Sequence, residues 1–151
     1  MTADHGQRWM LCRCLGEDYG LDLRQAQEII YRPRLLALPG LEPPLCGLII
    51  WQGRTLPVIS LRLLAGRSEP PERPAVVIMS DGRQEAGLLA DDIGETVAAP
   101  TLFPLHPALS SGRGYISRAF MLRGAVVFTL DIDVLLQSLA PKTRGMTVPQ
   151  P

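Results

Sequence analysis

Neither sign of charge prevails in this chain of 151 residues, where fifteen Lys and Arg stand against fifteen Asp and Glu. That balance removes the basic footprint of a nucleic-acid-binding domain, and no nucleic acid is expected as a partner. Long apolar runs are missing too. The longest, residues 45–51 (Leu-Cys-Gly-Leu-Ile-Ile-Trp), falls far short of the ~20 residues that span a bilayer, so no direct membrane insertion is expected. Residues 1–8 are polar and lack the apolar core of a signal peptide, which makes the cytoplasm the expected location. Imidazoles are scarce: His5 lies in the polar leader and His106 between Leu105 and Pro107, with no serine or carboxylate in the order of a catalytic triad.

Cysteine is sparse and odd in number, at positions 12, 14 and 46. Cys12 and Cys14 share one face of an expected strand, and no further Cys or His set accompanies them. Buried, reduced thiols therefore fit better than a metal site. Asp131 and Asp133 form a D-x-D pair at the start of an expected helix, where capping explains them better than cation binding. Asp91 and Asp92 follow a strand and are expected to face solvent or a turn. The run Ser111-Gly112-Arg113-Gly114 lacks the strand-loop-helix setting of a phosphate loop. No catalytic residue, cofactor or metal is expected, which leaves a binding or scaffolding module.

The most distinctive stretch present is a hairpin of residues 48–52 and 54–61 turned at Gly53. Ile49 and Trp51 point opposite to Leu48 and Ile50, so both faces are apolar, and the hairpin is expected to lie between two packed layers. Pro57 cannot donate to a ladder and marks an edge or bulge where another chain can be received. Before it come strands over 9–15 and 19–22. Residues 23–30 then read equally as a helix capped by Asp22 or as extended chain over 27–31, and residues 42–46 read as one helical turn. After it come a loop over 66–74, a hairpin of 75–80 and 83–90 turned at Asp81-Gly82, and a further strand over 91–97.

Residues 98–112 form a proline-rich connection anchored by Leu102, Phe103 and Leu105. A last hairpin (114–122 and 125–129) turns at Arg123-Gly124. Ile132, Leu135, Leu136 and Leu139 then carry the spacing of an amphipathic helix that Pro141 ends. The expected organisation is a flexible leader over 1–8, one domain over 9–140 and a disordered tail over 141–151. A chain of this length buries roughly 68–70% of its unfolded surface. Short antiparallel strands hide their edges best in closed barrels, and two small barrels sharing a core suit the length better than one.

Taken in order, these pieces resemble the CheW family of chemotaxis coupling proteins. The resemblance covers roughly residues 9–136, nearly the whole chain. It rests on Tyr19-Gly20-Leu21-Asp22, Gln27-Glu28-Ile29-Ile30 and Leu38-Pro39, then on Gly47, Gly53, Leu56-Pro57-Val58-Ile59 and Leu61-Arg62. It continues through Val76-Val77-Ile78, Gly87-Leu88-Leu89-Ala90-Asp91 and Leu130-Asp131-Ile132-Asp133.

The resemblance implies an all-β, mainly antiparallel fold of two five-stranded SH3-like barrels sharing a core, with a short C-terminal helix. It also implies a non-catalytic adaptor that bridges the regulatory domain of a chemotaxis histidine kinase and the cytoplasmic tip of chemoreceptors. The partner-binding positions it carries over are Glu28, Leu45, Gly47, Gln52, Val76 and Gly87. Gln52 stands where the family carries an arginine that pairs with the glutamate matching Glu28, which leaves Arg54 or Arg62 to meet Glu28, or water. Ser60 stands where an aspartate is common. Both departures point to a divergent member with retuned partner choice, serving pilus motility or another accessory array. Gly47→Asp is expected to weaken partner binding without unfolding the chain. A small-molecule-sensing barrel, with its ligand in the groove between the barrels, is the alternative.

Overall fold

Three reversals use one device. Leu15-Gly16, Gln52-Gly53 and Arg123-Gly124 each hold both residues at positive φ (53° and 82°, 49° and 74°, 48° and 79°). This two-residue turn has the twist that flanking strands require. The computed structural model describes residues 7–98, 101–110 and 113–139. Its strands are β1 (Arg8–Cys14), β2 (Glu17–Asp22), β3 (Ala26–Tyr31), β4 (Leu45–Trp51), β5 (Arg54–Ser60) and β6 (Ala75–Ser80). They continue with β7 (Glu85–Ala90), β8 (Asp92–Ala98), β9 (Phe103–Pro104), β10 (Ile116–Leu122) and β11 (Ala125–Leu130). The helices are short: α1 (Leu61–Leu64), α2 (Pro107–Ser110) and α3 (Ile132–Gln137).

The strands form two sheets, ordered β8-β1-β2-β11-β10-β9 and β3-β6-β7-β5-β4. The expected all-β, mainly antiparallel architecture holds, with β9 adding a two-residue sixth strand to the first sheet. Among the described residues, parallel pairs occur only where β11 meets β2 and β5 meets β7.

Period-two alternation explains how the two sheets share one core. On β1, Met10, Cys12 and Cys14 enter the central cluster, while Trp9 and Leu11 join Val97, Phe120 and Val127 within the first sheet. On β6, Val77 and Met79 enter the central cluster, while Val76 and Ile78 face Ile49, Trp51, Leu56 and Val58 within the second. α3 closes the centre with Ile132, Leu135 and Leu136, its N-terminus capped by Asp131 Oδ1 on the Val134 N–H at 3.1 Å. This shared core fills the space between the sheets, where the alternative reading needs a ligand groove.

Several expectations change. The strands covered on both faces are β1, β6 and β7, whereas on β4 Ile50 is 61% exposed. The central hairpin is therefore not sandwiched: β4 is an outer strand, and only its Ile49 and Trp51 face is packed. Pro57 lies inside β5, just before the stretch where Val58 begins pairing with β7, and the bulge falls between Leu45 and Gly47 on β4. Asp22 caps only a 3-10 turn, Leu23–Gln25, before the chain extends as β3.

Residues 42–46 are not a helical turn, because Leu45 is already in register with Ile59 in the β4–β5 ladder. The Asp81-Gly82 reversal is a loop over 81–84, since Asp81 Oδ1 accepts from the Arg83 and Gln84 amides at 2.8 and 2.9 Å. Leu102 and Leu105 pack as anchors, but Phe103 is 51% exposed. Gln7 is buried and Arg8 opens β1, while residues 1–6 of the expected leader and the expected tail over 141–151 lie outside the described residues.

Candidate partner-binding site

β3 and β4 are the outer strands of the second sheet, and they come together without forming a ladder. Two contacts hold the seam. At one end the Trp51 indole Nε1 donates to Glu28 Oε1 at 2.9 Å. On the far side of β4, Leu36 and Leu48 exchange both backbone hydrogen bonds at 2.9 Å, which lays the connection from β3 along the edge of β4. A cleft of about 590 Å³ opens in this region, lined by Ile30, Arg34, Leu36, Ile49 and Ile50. Beside it, Leu38, Leu41, Leu45, Gly47, Thr55 and Pro57 line a smaller hollow of about 180 Å³. A seam of this kind presents apolar surface beside unpaired strand edges, a combination suited to receiving another chain.

The structure distributes the expected site residues unevenly. Glu28, Gln52 and Arg54 are exposed near the Trp51 end of the seam, and Gln52 sits at the tip of the β4–β5 turn. Leu45 is half-buried, its side chain packed against the shared core. Gly47 lies beneath the connection, where an added Cβ would meet the Leu36 carbonyl oxygen at 2.7 Å. Val76 is fully buried. Gly87 is packed so tightly that a Cβ there would meet Val76 Cγ1 at 2.8 Å. These last two shape the second sheet from within, and neither presents a surface.

The expected charge partners of Glu28 are engaged elsewhere. Arg54 forms an ion pair with Glu85 and lies 5.5 Å from the Trp51 ring centroid. Arg62 makes a two-pronged pair with Asp91 at 2.8 and 3.0 Å. Asp91 is therefore not a solvent-facing turn residue; it also accepts from the Leu15 amide at 2.9 Å. Burial alone would raise the Asp91 carboxyl, but Arg62 and the Leu15 amide outweigh it and hold its pKa below the ordinary value.

Ser60 is buried, and its hydroxyl accepts from the Leu63 amide at 3.2 Å to cap α1. The buried thiols are poor nucleophiles. Burial first, then the negative charge of Asp18, pushes Cys12 up to about 12; burial and Asp91 push Cys14 up to about 11. Among the described residues no group of His, Cys, Asp and Glu gathers to hold a metal. His106 accepts from the Ala108 amide at 3.0 Å through Nδ1, a local turn contact.

Sequence reasoning missed Trp51 as the partner of Glu28. A signal existed, because a buried indole N–H needs an acceptor and a carboxylate without its expected arginine supplies one. Nothing in the sequence marked Arg34 and Leu36, whose place beside the cleft depends on the course of the connection.

A family model described as "CheW-like domain" matches residues 8–140. Over 101 residues the chain is 27% identical to the chemotaxis protein CheW of Bacillus subtilis (strain 168), a match covering 64% of this chain and 65% of that protein. Over 139 residues it is 22% identical to the chemotaxis protein CheW of Klebsiella aerogenes, covering 88% and 83% of the two chains. Among solved structures, the scaffolding protein TtCheW from Thermoanaerobacter tengcongensis superposes with a TM-score of 0.75 at 19% identity, covering 82% of this chain and 88% of that one. That last likeness concerns the fold.

Proposed function

We propose, because this chain belongs to the CheW-like domain family, that it is a non-catalytic adaptor joining the regulatory domain of a chemotaxis-type histidine kinase to the cytoplasmic tip of chemoreceptors. The observation that carries this reading is the seam between β3 and β4: an apolar cleft beside two outer strands, bounded by the Trp51–Glu28 contact and the Leu36–Leu48 bridge. A receptor helix would lay an apolar stripe into such a cleft, meeting Ile30, Ile49 and Ile50. Glu28, Leu45, Gly47, Gln52 and Arg54 would contact partners, with Val76 and Gly87 supporting the sheet behind them.

The exchange of a charged residue for Gln52, with a neutral indole holding Glu28, supports a divergent member whose partner preference has shifted, such as one serving an accessory array. No helix among the described residues is long and apolar enough to cross a membrane, and the proposed location is cytoplasmic.

The test is titration of the purified chain against its cognate kinase regulatory domain and against a receptor-tip fragment. Saturable binding of either supports the reading, and no binding of both up to about millimolar concentration overturns it. Gly47→Asp should weaken binding at least tenfold. A side chain there must push the Leu36 carbonyl and open the Leu36–Leu48 bridge, while the shared core stays folded by circular dichroism. Normal binding by that variant would place the site elsewhere.

A further inference from the structure

The seam of the second sheet is aliphatic in its middle and carries opposite charges toward its two ends. Its cleft is lined by Ile30, Leu36, Ile49 and Ile50, together with a single charged side chain, Arg34. Ile50 leaves 61% of its surface exposed, on a strand whose other face is sealed through Ile49 and Trp51. Arg34 follows β3 by three residues and is exposed, and no carboxylate among the described residues pairs with it.

Toward the other end stands Glu28, also exposed. Its Oε1 accepts from the Trp51 indole at 2.9 Å, but that donor is neutral and leaves the carboxylate charge unbalanced. Arg54, which lies over the Trp51 ring, is spent on Glu85. Glu28 and Arg34 are six residues apart, so the chain between them spans at most about 22 Å, roughly four turns of a helix laid alongside. Water solvates both groups in the free chain, and their contribution is therefore to orientation more than to affinity. A helix with its base at Glu28 and its acid at Arg34 makes two attractive contacts. The same helix reversed makes two repulsive ones.

We propose that this cleft is direction-selective. It takes an amphipathic helix whose apolar stripe is bounded by a Lys or Arg at the Glu28 end and by an Asp or Glu, up to about four turns away, at the Arg34 end. The inference deepens the adaptor reading and rests on it, the helix being that of the receptor tip.

The experiment adds a cognate receptor-tip fragment to the full-length, nitrogen-15-labelled chain. The fragment carries a spin label beyond the basic end of its apolar stripe, or beyond the acidic end. The first label should broaden the amides of residues 27–29, and the second those of residues 34–36. Equal broadening of both groups by either label overturns the proposal, as does the reverse pattern. In calorimetric titration Arg34→Glu should weaken binding about fivefold, and a fragment whose acidic residue is replaced by lysine should restore it. Glu28→Gln keeps an acceptor for the Trp51 indole while removing the charge, and should weaken binding about twofold. Wild-type binding that neither variant alters overturns the directional inference and leaves the adaptor reading standing. A wild type that does not bind the fragment also overturns the inference, and the adaptor reading falls with it only where the kinase regulatory domain is unbound as well.

Discussion

The two tryptophans stand in parallel settings and end differently. Each sits in the core of its own sheet, Trp9 at 2% and Trp51 at 7% exposure, and each has an arginine near its ring, Arg118 at 6.0 Å and Arg54 at 5.5 Å. Trp51 donates to Glu28 across an open seam, and its arginine is spent on Glu85. The Trp9 indole has no acceptor, and its arginine no acidic partner, among the described residues. At Trp51 the indole and its arginine are thus both engaged, beside the apolar cleft near β3 and β4. Trp9 is held instead by packing against Phe120, Leu11, Val97 and Val127. Burial made the two residues alike; hydrogen-bond accounting separates them.

The contrast can be broken from several directions. The largest effect should come from Trp9→Ala, which empties a side chain packed at a 6.0 Å centroid distance against Phe120. A loss of about 3–5 kcal/mol in denaturant unfolding is expected for a buried aromatic removed without collapse of the site.

A smaller, pH-dependent loss should follow Asp22→Asn in the same sheet. Burial by itself raises the Asp22 carboxyl, but its hydrogen bonds from the Arg24 side chain and amide and from Gln7 prevail and depress the pKa. A depressed carboxylate contributes stability that is fully present above its unfolded value of about 3.9 and is lost as pH falls through the lower folded value. The wild type should therefore weaken below about pH 4 more steeply than Asp22→Asn, measured by urea midpoints across that range.

Trp51→Phe should cost about 1 kcal/mol, the net worth of one indole hydrogen bond, and should loosen the β3–β4 seam in amide exchange. Trp9→Phe should lose only the packing of the missing ring and no hydrogen bond, so it should cost less than Trp9→Ala. Equal losses in the two Phe variants would erase the distinction between the two tryptophans.

Much of the fold was legible. The Gln52-Gly53 and Arg123-Gly124 reversals, the amphipathic spacing of α3 and the Asp131 cap each follow from chemistry within a few residues, and all appear where that chemistry put them. The order of motifs along the chain was similarly readable and matches the family assignment.

The errors share a different origin. Residues 48–51 read as apolar on both faces, yet Ile50 is exposed while Val76, Val77 and Leu88 are sealed. A strand's own composition does not say whether it will be central or outermost. Asp91 read as a turn residue because Arg62, its partner, lies far away in sequence. Among the candidate contacts, Glu28 and Gln52 proved exposed, while Val76 and Gly87 lie within the sheet, a division that no local pattern records.

Local chemistry in the chain was enough to specify three of the turns, the Asp131 cap and the β character, since each depends on neighbours within a few residues. Packing alone chose which strands lie outside, which cation meets which carboxylate, and which indole goes unanswered. Those outcomes depend on contacts such as Trp51 with Glu28, which are 23 residues apart and meet only because β3 and β4 end as the two outer strands of one curled sheet.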